Sequence, residues 1–366
     1  MIVGVAAAGI SGLITVLAIH NRSGADYRWH VAITRAGLDG GSFPGDVLFY
    51  WLESVIVLFK PDPHRLYAGL AAMLTIAGGV KAYLTVRLAE TEYRSGLPWL
   101  GAVLAASCMF AFGIPIGPDY PAFIPANVWH NTTTALLMPL ALGLFLVSHW
   151  YLREPSRRAL WLMLALVVVN ILAKPSFVLC WLVAFPVAVF LKDRRASALA
   201  GPLLVAGAGA LLLLAQYTYV YVIGRGNPFV ESSGVYLAPF HVWSHFAPSI
   251  ALSIVLSYAF PAVALALGGA AVRESLAVRF AAGLAVVGLT WFVLVAEKGH
   301  QEYHGNFLWQ AIIANYILFA ALVGAVLVWL RESPFGWRQG LVLAVFGLHL
   351  AGGVHYLAWW LTYNAP

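Results

Sequence analysis

The chain has 366 residues, of which 61% are hydrophobic and 10% are charged, and its mean hydropathy is +0.83. A soluble protein carries roughly a quarter charged residues, so the composition excludes a soluble enzyme and indicates an integral membrane protein. A net charge of +6 would suggest nucleic-acid binding in a soluble protein. Here we interpret the basic residues as markers of membrane topology, and we expect no nucleic-acid partner.

Eleven apolar runs along the chain are candidate membrane crossings, since one crossing needs about 20 residues; two of them, 157–174 and 177–191, are short. They are 2–20, 65–87, 97–116, 132–152, 157–174, 177–191, 199–223, 248–271, 279–297, 308–330 and 339–361. A further stretch, 44–60, is interrupted by Asp46 and Glu53, and we expect it to lie in the outer interface or to enter part-way. The sequence therefore predicts an all-α polytopic membrane protein with about 11 transmembrane helices. Residues 1–366 form a single integral membrane domain, with interfacial helices in its first external loop, 21–64.

Lysine and arginine clusters at the ends of these runs predict the orientation, because cytoplasmic loops are enriched in both residues. With eleven crossings, five clusters fall on one side: Arg87/Arg94, Arg153/Arg157/Arg158, Lys192/Arg194/Arg195, Arg273/Arg279 and Arg331/Arg338. We therefore expect a multi-pass protein of the cytoplasmic (inner) membrane with a cytoplasmic amino terminus. Most acidic residues and histidines then lie in external loops, so we expect any chemistry at the external or periplasmic face.

The first external loop contains a helical pattern with an acid and a histidine on one face. Asp26 and His30 are four residues apart, so both side chains project from the same side of a helix. A carboxylate beside an imidazole can act as a general base, with the histidine orienting it. Arg28 and Arg35 can bind a phosphate; the alternative is that they contact lipid headgroups.

A transmembrane helix, an external loop that opens with an acid, a D-x3-H helix and a second interfacial helix together resemble the C-type glycosyltransferases (GT-C fold). The matching segment is 26–59, under a tenth of the chain, and the remainder is similar in layout. The resemblance implies transfer of a sugar from a polyprenyl-phosphate-linked donor to a glycan, lipid or protein acceptor outside the cytoplasmic membrane. It also implies Asp26 as the base, with inversion at the anomeric carbon, and Asp119 in the second external loop as a second candidate acid.

Three further external segments carry residues suited to a phosphate or a sugar. His130 and Asn131 offer an imidazole and an amide for sugar hydroxyls, although Asn131 can equally cap the next helix. Lys174, at a proline break, can present an ammonium to a phosphate, with snorkelling to headgroups as the alternative. Arg225 is a second phosphate candidate, and its loop, 224–247, is a candidate lid.

The densest polar run of the chain follows the ninth predicted crossing. It contains Glu297, Lys298, His300, Glu302, His304 and Asn306, and we predict that these residues bind substrate. The spacing of His300, Glu302 and His304 also permits a divalent metal ion, but it is not the H-E-x-x-H zinc signature. No glycine-rich nucleotide loop of the Walker or Rossmann kind occurs, so we expect no nucleotide cofactor.

Two other functions stay open at this level. A lipid-linked polysaccharide polymerase or ligase would rely on arginines and histidines more than on one acid. A transporter or flippase would show charges buried in helices and repeated halves, whereas the sequence has few such charges besides Lys81 and Lys174 and no repeat. A membrane glycosyltransferase is therefore the leading hypothesis, with membrane lipids, a polyprenyl-phosphate sugar and its acceptor as partners.

Overall fold

The computed structural model describes residues 1–21, 25–93, 96–114, 122–223 and 232–362, and most of them are helical. The helices are α1 (Ile2–His20), α2 (Ala25–Leu38), α3 (Val47–Ile56), α4 (Pro63–Tyr93), α5 (Trp99–Ala106), α6 (Thr132–Arg153), α7 (Arg157–Ala173), α8 (Ser176–Lys192), α9 (Ala196–Tyr217), α10 (His241–Phe246), α11 (Ile250–Leu267), α12 (Ala270–Arg273), α13 (Leu276–Leu294), α14 (Leu308–Glu332) and α15 (Trp337–Thr362). A 3₁₀ turn (Ser107–Phe110) follows α5, a π-helical turn (Thr218–Val222) follows α9, and the strands are β1 (Ser232–Leu237) and β2 (Val295–Gly299).

Eight of the helices are long and apolar enough to cross a membrane: α1, α4, α6, α9 with its π-helical turn, α11, α13, α14 and α15. All eight lie where the sequence predicts crossings, which confirms a multi-pass, helical membrane protein. Helices α7 and α8 have 17 residues each and are therefore about 25 Å long, somewhat less than the hydrocarbon thickness. Helix α3 has only 10 residues, about 15 Å, and is too short to cross.

The predicted crossing at 97–116 is not a continuous helix. Among the described residues of this segment, only 99–106 are α-helical, and the backbone after the 3₁₀ turn is extended at Ala111. Gly113 and Ile114 favour this break. Ile114 precedes Pro115, and a residue that precedes proline is disfavoured in the helical conformation.

The irregular segments 111–113 and 123–128 are buried, and side chains of neighbouring helices are hydrogen-bonded to several of their backbone groups. His349 Nδ1 is hydrogen-bonded to the Phe112 carbonyl, and Asn315 Nδ2 donates to the Ile124 carbonyl at 2.8 Å. The Ile124 amide donates to Ser257 Oγ at 2.9 Å. Irregular backbone at membrane depth requires such partners because lipid offers none.

Helix α14 forms the centre of the bundle. In its most apolar 18-residue window 94% of the residues are buried, which is expected for a helix that is hydrophobic on every side. Glycines allow close approach of its neighbours: a Cβ on Gly324 would lie 2.9 Å from Ala89 Cα on α4, and one on Gly288 would lie 3.0 Å from Ala311 Cα. Small residues at such positions promote helix packing in membranes.

One small sheet departs from the helical pattern. Strands β1 and β2 pair antiparallel, with Val235 opposite Glu297. Helix α13 runs from Leu276 to Leu294, so it begins and ends three residues earlier than the predicted crossing 279–297. The described part of the predicted loop 224–247 contains strand β1 and helix α10.

The basic clusters meet at one end of the bundle. Arg153 Nη1 donates to the Thr91 carbonyl at 3.5 Å, Lys192 Nζ to the Arg153 carbonyl at 3.4 Å, and Arg331 Nη1 to the Tyr93 carbonyl at 2.9 Å. These contacts join the carboxyl ends of α4, α6, α8 and α14. The amino ends of α6, α8 and α14 consequently lie at the opposite end, where most of the candidate site residues are found.

Candidate functional site

Lys174 lies in the break between α7 and α8 and points at the amino end of α6. Its Nζ donates to Asn131 Oδ1 at 3.0 Å, to Thr133 Oγ1 at 3.1 Å and to Thr134 Oγ1 at 2.9 Å. These three acceptors match the three protons of an ammonium group. The proline that follows Lys174 disfavours a helical backbone at Lys174. Helix α7 therefore ends at Ala173, and the Lys174 side chain can reach the amino end of α6. The result is a half-buried ammonium group that is held by neutral oxygen atoms.

Asn131 connects this lysine to Asp26. As the residue before α6, it caps the helix through its Oδ1, which accepts from the Thr134 amide at 2.9 Å. Its Nδ2 donates to Asp26 Oδ2 at 2.9 Å. Capping and substrate binding are the alternative roles that the sequence predicts for Asn131. In the structure one side chain caps α6 and also joins two predicted site residues.

The electrostatic surroundings of Lys174 favour an anion. The amino end of a helix carries partial positive charge and exposed amide donors, and here an ammonium group lies beside it. Trp309 at the start of α14 stacks against the ammonium, with 4.6 Å from Nζ to the ring centroid. Burial lowers the pKa of Lys174 below its ordinary value of 10.5, and the carboxylates of Asp46 and Asp26 oppose that shift.

The charges of two carboxyl groups, Asp26 and Asp46, act on this ammonium group. Burial raises the pKa of Asp26 above its ordinary value of 3.8, against the opposing effects of Lys174 and of the Asn131 hydrogen bond. Burial likewise raises the pKa of Asp46 to about 6, and Lys174 again opposes the shift. In the sequence, Asp46 is recognisable only as an interruption of an apolar stretch. The signal that could have identified it is an acid at the start of an apolar helix, in the same loop as Asp26.

Two histidines flank the site in neutral form. His30 Nδ1 is hydrogen-bonded to Tyr50 Oη at 2.7 Å, and His130 Nδ1 to Tyr356 Oη at 2.5 Å. Burial, with Lys174 adding to it, lowers the pKa of each imidazole to about 3. His30 shares helix α2 with Asp26 as predicted, but its Nδ1 binds Tyr50. The hypothesis that His30 orients the carboxylate of Asp26 is therefore not supported by this geometry.

An apolar groove of about 230 Å³ lies between α3 and α7. Its lining consists of Val47, Leu48, Trp51, Leu52, Val55 and Leu172. Val47 follows Asp46 directly, and Leu172 precedes Lys174 by two residues. The groove thus begins next to the charged groups and continues along the apolar face of α3, a surface suited to a hydrocarbon chain.

Glu297 and Asn306 belong to a second polar group, on β2 and the turn after it. The Tyr221 hydroxyl donates to Glu297 Oε1, and Asn306 Nδ2 donates to Glu297 Oε2. Asn306 also donates to Gln301 Oε1, at 3.1 Å. Tyr221 lies in the π-helical turn, a feature that is frequent at functional sites. Two predicted substrate-binding residues are thus brought together, but they bind each other.

Glu302 forms a separate surface group, and no metal site is found in the described part of the chain. Its Oε1 accepts from the Tyr236 hydroxyl and lies 3.1 Å from His241 Nε2. His300 and His304 are exposed, as is Lys298. Among the described residues, no three His, Cys, Asp or Glu side chains are placed to hold a metal ion. The hypothesis of a metal at His300, Glu302 and His304 is therefore not supported.

The remaining predicted residues are exposed on α2 or lie outside the described chain. Arg28 and Arg35 are on the exposed side of α2, and Arg35 Nε is 3.8 Å from Asp39 Oδ2 in an exposed ion pair. The predicted role of Arg28 and Arg35 in phosphate binding stays a prediction. Asp119 and Arg225 lie outside the described residues.

Comparison of the chain with protein-family models, with curated proteins and with solved structures finds no match in any of the three.

Proposed function

We propose that the protein is a membrane glycosyltransferase that moves a sugar from a polyprenyl-phosphate-linked donor to an acceptor. The observation that carries the proposal is the hydrogen-bonded connection of Asp26, Asn131 and Lys174 beside an apolar groove. A lipid-linked sugar phosphate has a hydrocarbon tail, an anionic phosphate and a reactive anomeric carbon. One end of the bundle offers a complementary group for each of the three.

The donor binds with its isoprenoid chain in the groove between α3 and α7 and its phosphate at Lys174. A phosphate oxygen then replaces the hydroxyl oxygens of Thr133 and Thr134 as the partner of the ammonium, and the bond so formed is charge-assisted and stronger. The amino end of α6 adds amide donors and partial positive charge. The groove accounts for a lipid-linked donor, whereas a nucleotide sugar would leave it empty.

Asp26 takes the proton of the acceptor hydroxyl while the acceptor oxygen attacks the anomeric carbon. The bond between that carbon and the phosphate oxygen breaks, and its electron pair goes to the phosphate oxygen, where Lys174 stabilises the charge. A single displacement inverts the configuration. Burial raises the pKa of Asp26. A raised pKa suits a general base, because proton transfer is most effective when the pKa of the base lies near the working pH.

The acceptor approaches past the rim of the same end of the bundle. His130 and Asn131 lie beside Lys174, and we assign them to sugar hydroxyls. The exposed side chains on and after β2, Lys298, His300 and His304, are suited to contact a polar acceptor, and Glu297, Glu302 and Asn306 hold that segment in place through their hydrogen bonds.

Eleven crossings fit this function, in the layout of the GT-C fold. The eleven crossings are the eight long helices, α7, α8 and the broken segment that begins with α5. Both α7 and α8 connect the basic end to the Lys174 end: α7 begins at Arg157, and α8 ends at Lys192. By the positive-inside rule the basic end is cytoplasmic, so the site faces outward from the cytoplasmic membrane.

The test is turnover of radiolabelled polyprenyl-phosphate sugars by the purified protein in detergent, with the anomeric configuration of the product determined. Transfer or donor hydrolysis with inversion supports the proposal. An undecaprenyl-diphosphate oligosaccharide assayed in parallel distinguishes the polymerase or ligase: use of that substrate alone would replace this proposal. If none of the phosphate-linked sugars is consumed, the proposal is wrong.

A further inference from the structure

Asp46 occupies the N-cap position of α3, but its side chain does not cap the helix. It precedes α3, where an aspartate ordinarily accepts a hydrogen bond from an amide of the first turn. In the structure the Asp46 side chain makes no such bond. Its carboxylate is half-buried and is not used to stabilise its own helix.

Hydrogen bonds on both sides of Asp46 hold it beside the end of α7. Gln216 Nε2 donates to the Gly45 carbonyl at 2.8 Å and to the Ile171 carbonyl at 3.2 Å. One amide therefore joins the residue before Asp46 to the residue three positions before Lys174. On the other side, Tyr50 of α3 is hydrogen-bonded to His30 of α2. The position of Asp46 is thus fixed by α2, α7 and α9.

The charges around Lys174 do not suit an incoming anion unless one of them is neutralised. Asp46 is the carboxylate with the largest effect on the pKa of Lys174, followed by Asp26. With both carboxylates ionised, the three groups carry one net negative charge. The other titratable groups nearby do not change this balance at neutral pH: the pKa of His30 is about 3, that of Glu53 is about 8, and that of Tyr50 is well above its ordinary value.

We propose that Asp46 takes up a proton from solvent when a phosphate anion binds to Lys174, and then donates a hydrogen bond to that anion. In the empty site the ionised Asp46 helps to balance the ammonium charge. A phosphate that takes over this role repels the carboxylate, and repulsion between like charges favours its protonated form. Asp46 thereby makes binding of the lipid phosphate proton-linked, and this role rests on the proposed function of the Lys174 site.

The test measures proton uptake directly with a probe that does not titrate. Farnesyl sulfate has an isoprenoid tail for the groove and an anionic head whose charge is constant from pH 5 to 9. Its binding is measured by titration calorimetry at pH 7 in two buffers of different ionisation enthalpy. We expect uptake of about one proton per bound sulfate, and affinity roughly tenfold weaker at pH 7 than at pH 5.5. Between pH 5.5 and pH 7 the ammonium of Lys174 remains mostly charged, since its pKa is about 8.

Variants assign the proton. Asp46→Asn should abolish the uptake and the pH dependence, whereas Asp26→Asn, a matched change of the other carboxyl, should retain both. Asp46→Glu keeps a titrating carboxyl and should retain the uptake, which controls for misfolding of the Asn variant. Binding without uptake, or uptake that persists in Asp46→Asn, overturns the role of Asp46 and leaves the proposed function standing. Absence of farnesyl sulfate binding together with absence of donor turnover refutes both.

Discussion

Lys174 and Asp26 are bridged by one amide: Asn131 Oδ1 accepts from the lysine at 3.0 Å, and Asn131 Nδ2 donates to the aspartate at 2.9 Å. The same Oδ1 caps α6. Because the three residues come from α2, α6 and the α7–α8 break, formation of the bridge requires that the bundle be assembled. A change at Asn131 should therefore affect both the stability of α6 and the geometry of the two charged groups.

These two roles of Asn131 can be separated. Asn131→Ala removes the cap and the bridge, and we expect a loss of about 1 kcal/mol in stability together with loss of transfer. Asn131→Asp keeps an oxygen for the cap and for Lys174, but in its ionised form it cannot donate to Asp26 and repels that carboxylate. It should unfold at a higher temperature than Asn131→Ala, because it keeps the cap, and still lose transfer. Unfolding temperature and turnover, measured on both variants, check this; equal turnover in Asn131→Asp and wild type would argue against the bridge.

Loss of the Asp26 carboxylate should stop transfer and leave donor binding intact. Asp26→Asn can still accept the hydrogen bond from Asn131 but cannot take a proton, and removal of a general base commonly costs 10²–10⁴-fold in rate. The measurement is turnover alongside the dissociation constant of the labelled donor. Asp39→Asn, an exposed acid of the same loop, is the control and should retain full turnover. Full activity in Asp26→Asn would exclude this residue as the base.

Lys174 should contribute to donor binding as well as to rate. Lys174→Gln retains hydrogen bonding but loses the charge that holds the phosphate, and charge-assisted bonds contribute about 1.5–3 kcal/mol. We expect at least tenfold weaker donor binding and lower turnover. Lys60→Gln, a change of an exposed lysine at the same end of the bundle, is the matched control. Equal losses in both variants would indicate a general effect of surface charge instead of a phosphate site.

Much of the membrane architecture follows from hydropathy alone. Apolar runs of sufficient length identify all eight long helices, because transfer of apolar side chains and paired backbone into lipid leaves few alternatives. The same reasoning recognises 44–60 as a segment that does not cross, since Asp46 and Glu53 interrupt it. Hydropathy wrongly predicts a continuous helix at 97–116. An apolar segment can also adopt an irregular backbone there, because side chains of neighbouring helices supply hydrogen-bond partners.

Contacts within the site were less predictable. Asp26 and Lys174 are 148 positions apart, and nothing in their local sequences specifies that Asn131 joins them. His30 was paired with Asp26 on helical spacing, but Tyr50, from a different helix, takes its Nδ1. The sequence does not identify Asp46 as a site residue, because a charge inside an apolar stretch indicates only an interruption of that stretch. Spacing along one helix identifies residues that share a face, whereas tertiary packing decides which residue each of them contacts.

The pH dependence of turnover should reflect Asp26. Its pKa is raised by burial, and only the ionised form can accept a proton, so kcat should rise with pH through a value above the ordinary carboxyl range. The imidazoles of His30 and His130, with pKa values of about 3, should produce no transition at neutral pH. A pH profile of kcat from pH 5 to 8 at saturating donor checks this. A kcat that falls over this range would contradict a carboxylate base.

Glu53 should make the stability of the protein depend on pH. It is fully buried on α3, next to the Thr34 hydroxyl, and its Oε1 has no partner among the described residues. Burial raises its pKa from 4.5 to about 8, so the folded protein binds this proton more tightly than the unfolded chain. The resulting stabilisation is fully present below pH 4.5 and is lost as the pH rises through about 8.

Glu53→Gln mimics the protonated carboxyl and should remove this dependence. The unfolding temperature of the wild type should fall between pH 6 and pH 9, and that of Glu53→Gln should fall less, with the variant more stable by a few degrees, about 2–4 °C, at pH 9. Glu154→Gln, an exposed change of the same kind, should follow the wild type. If Glu53→Gln instead loses stability at pH 9, the carboxyl is ionised and paired in the folded protein, and α3 packs around a charge.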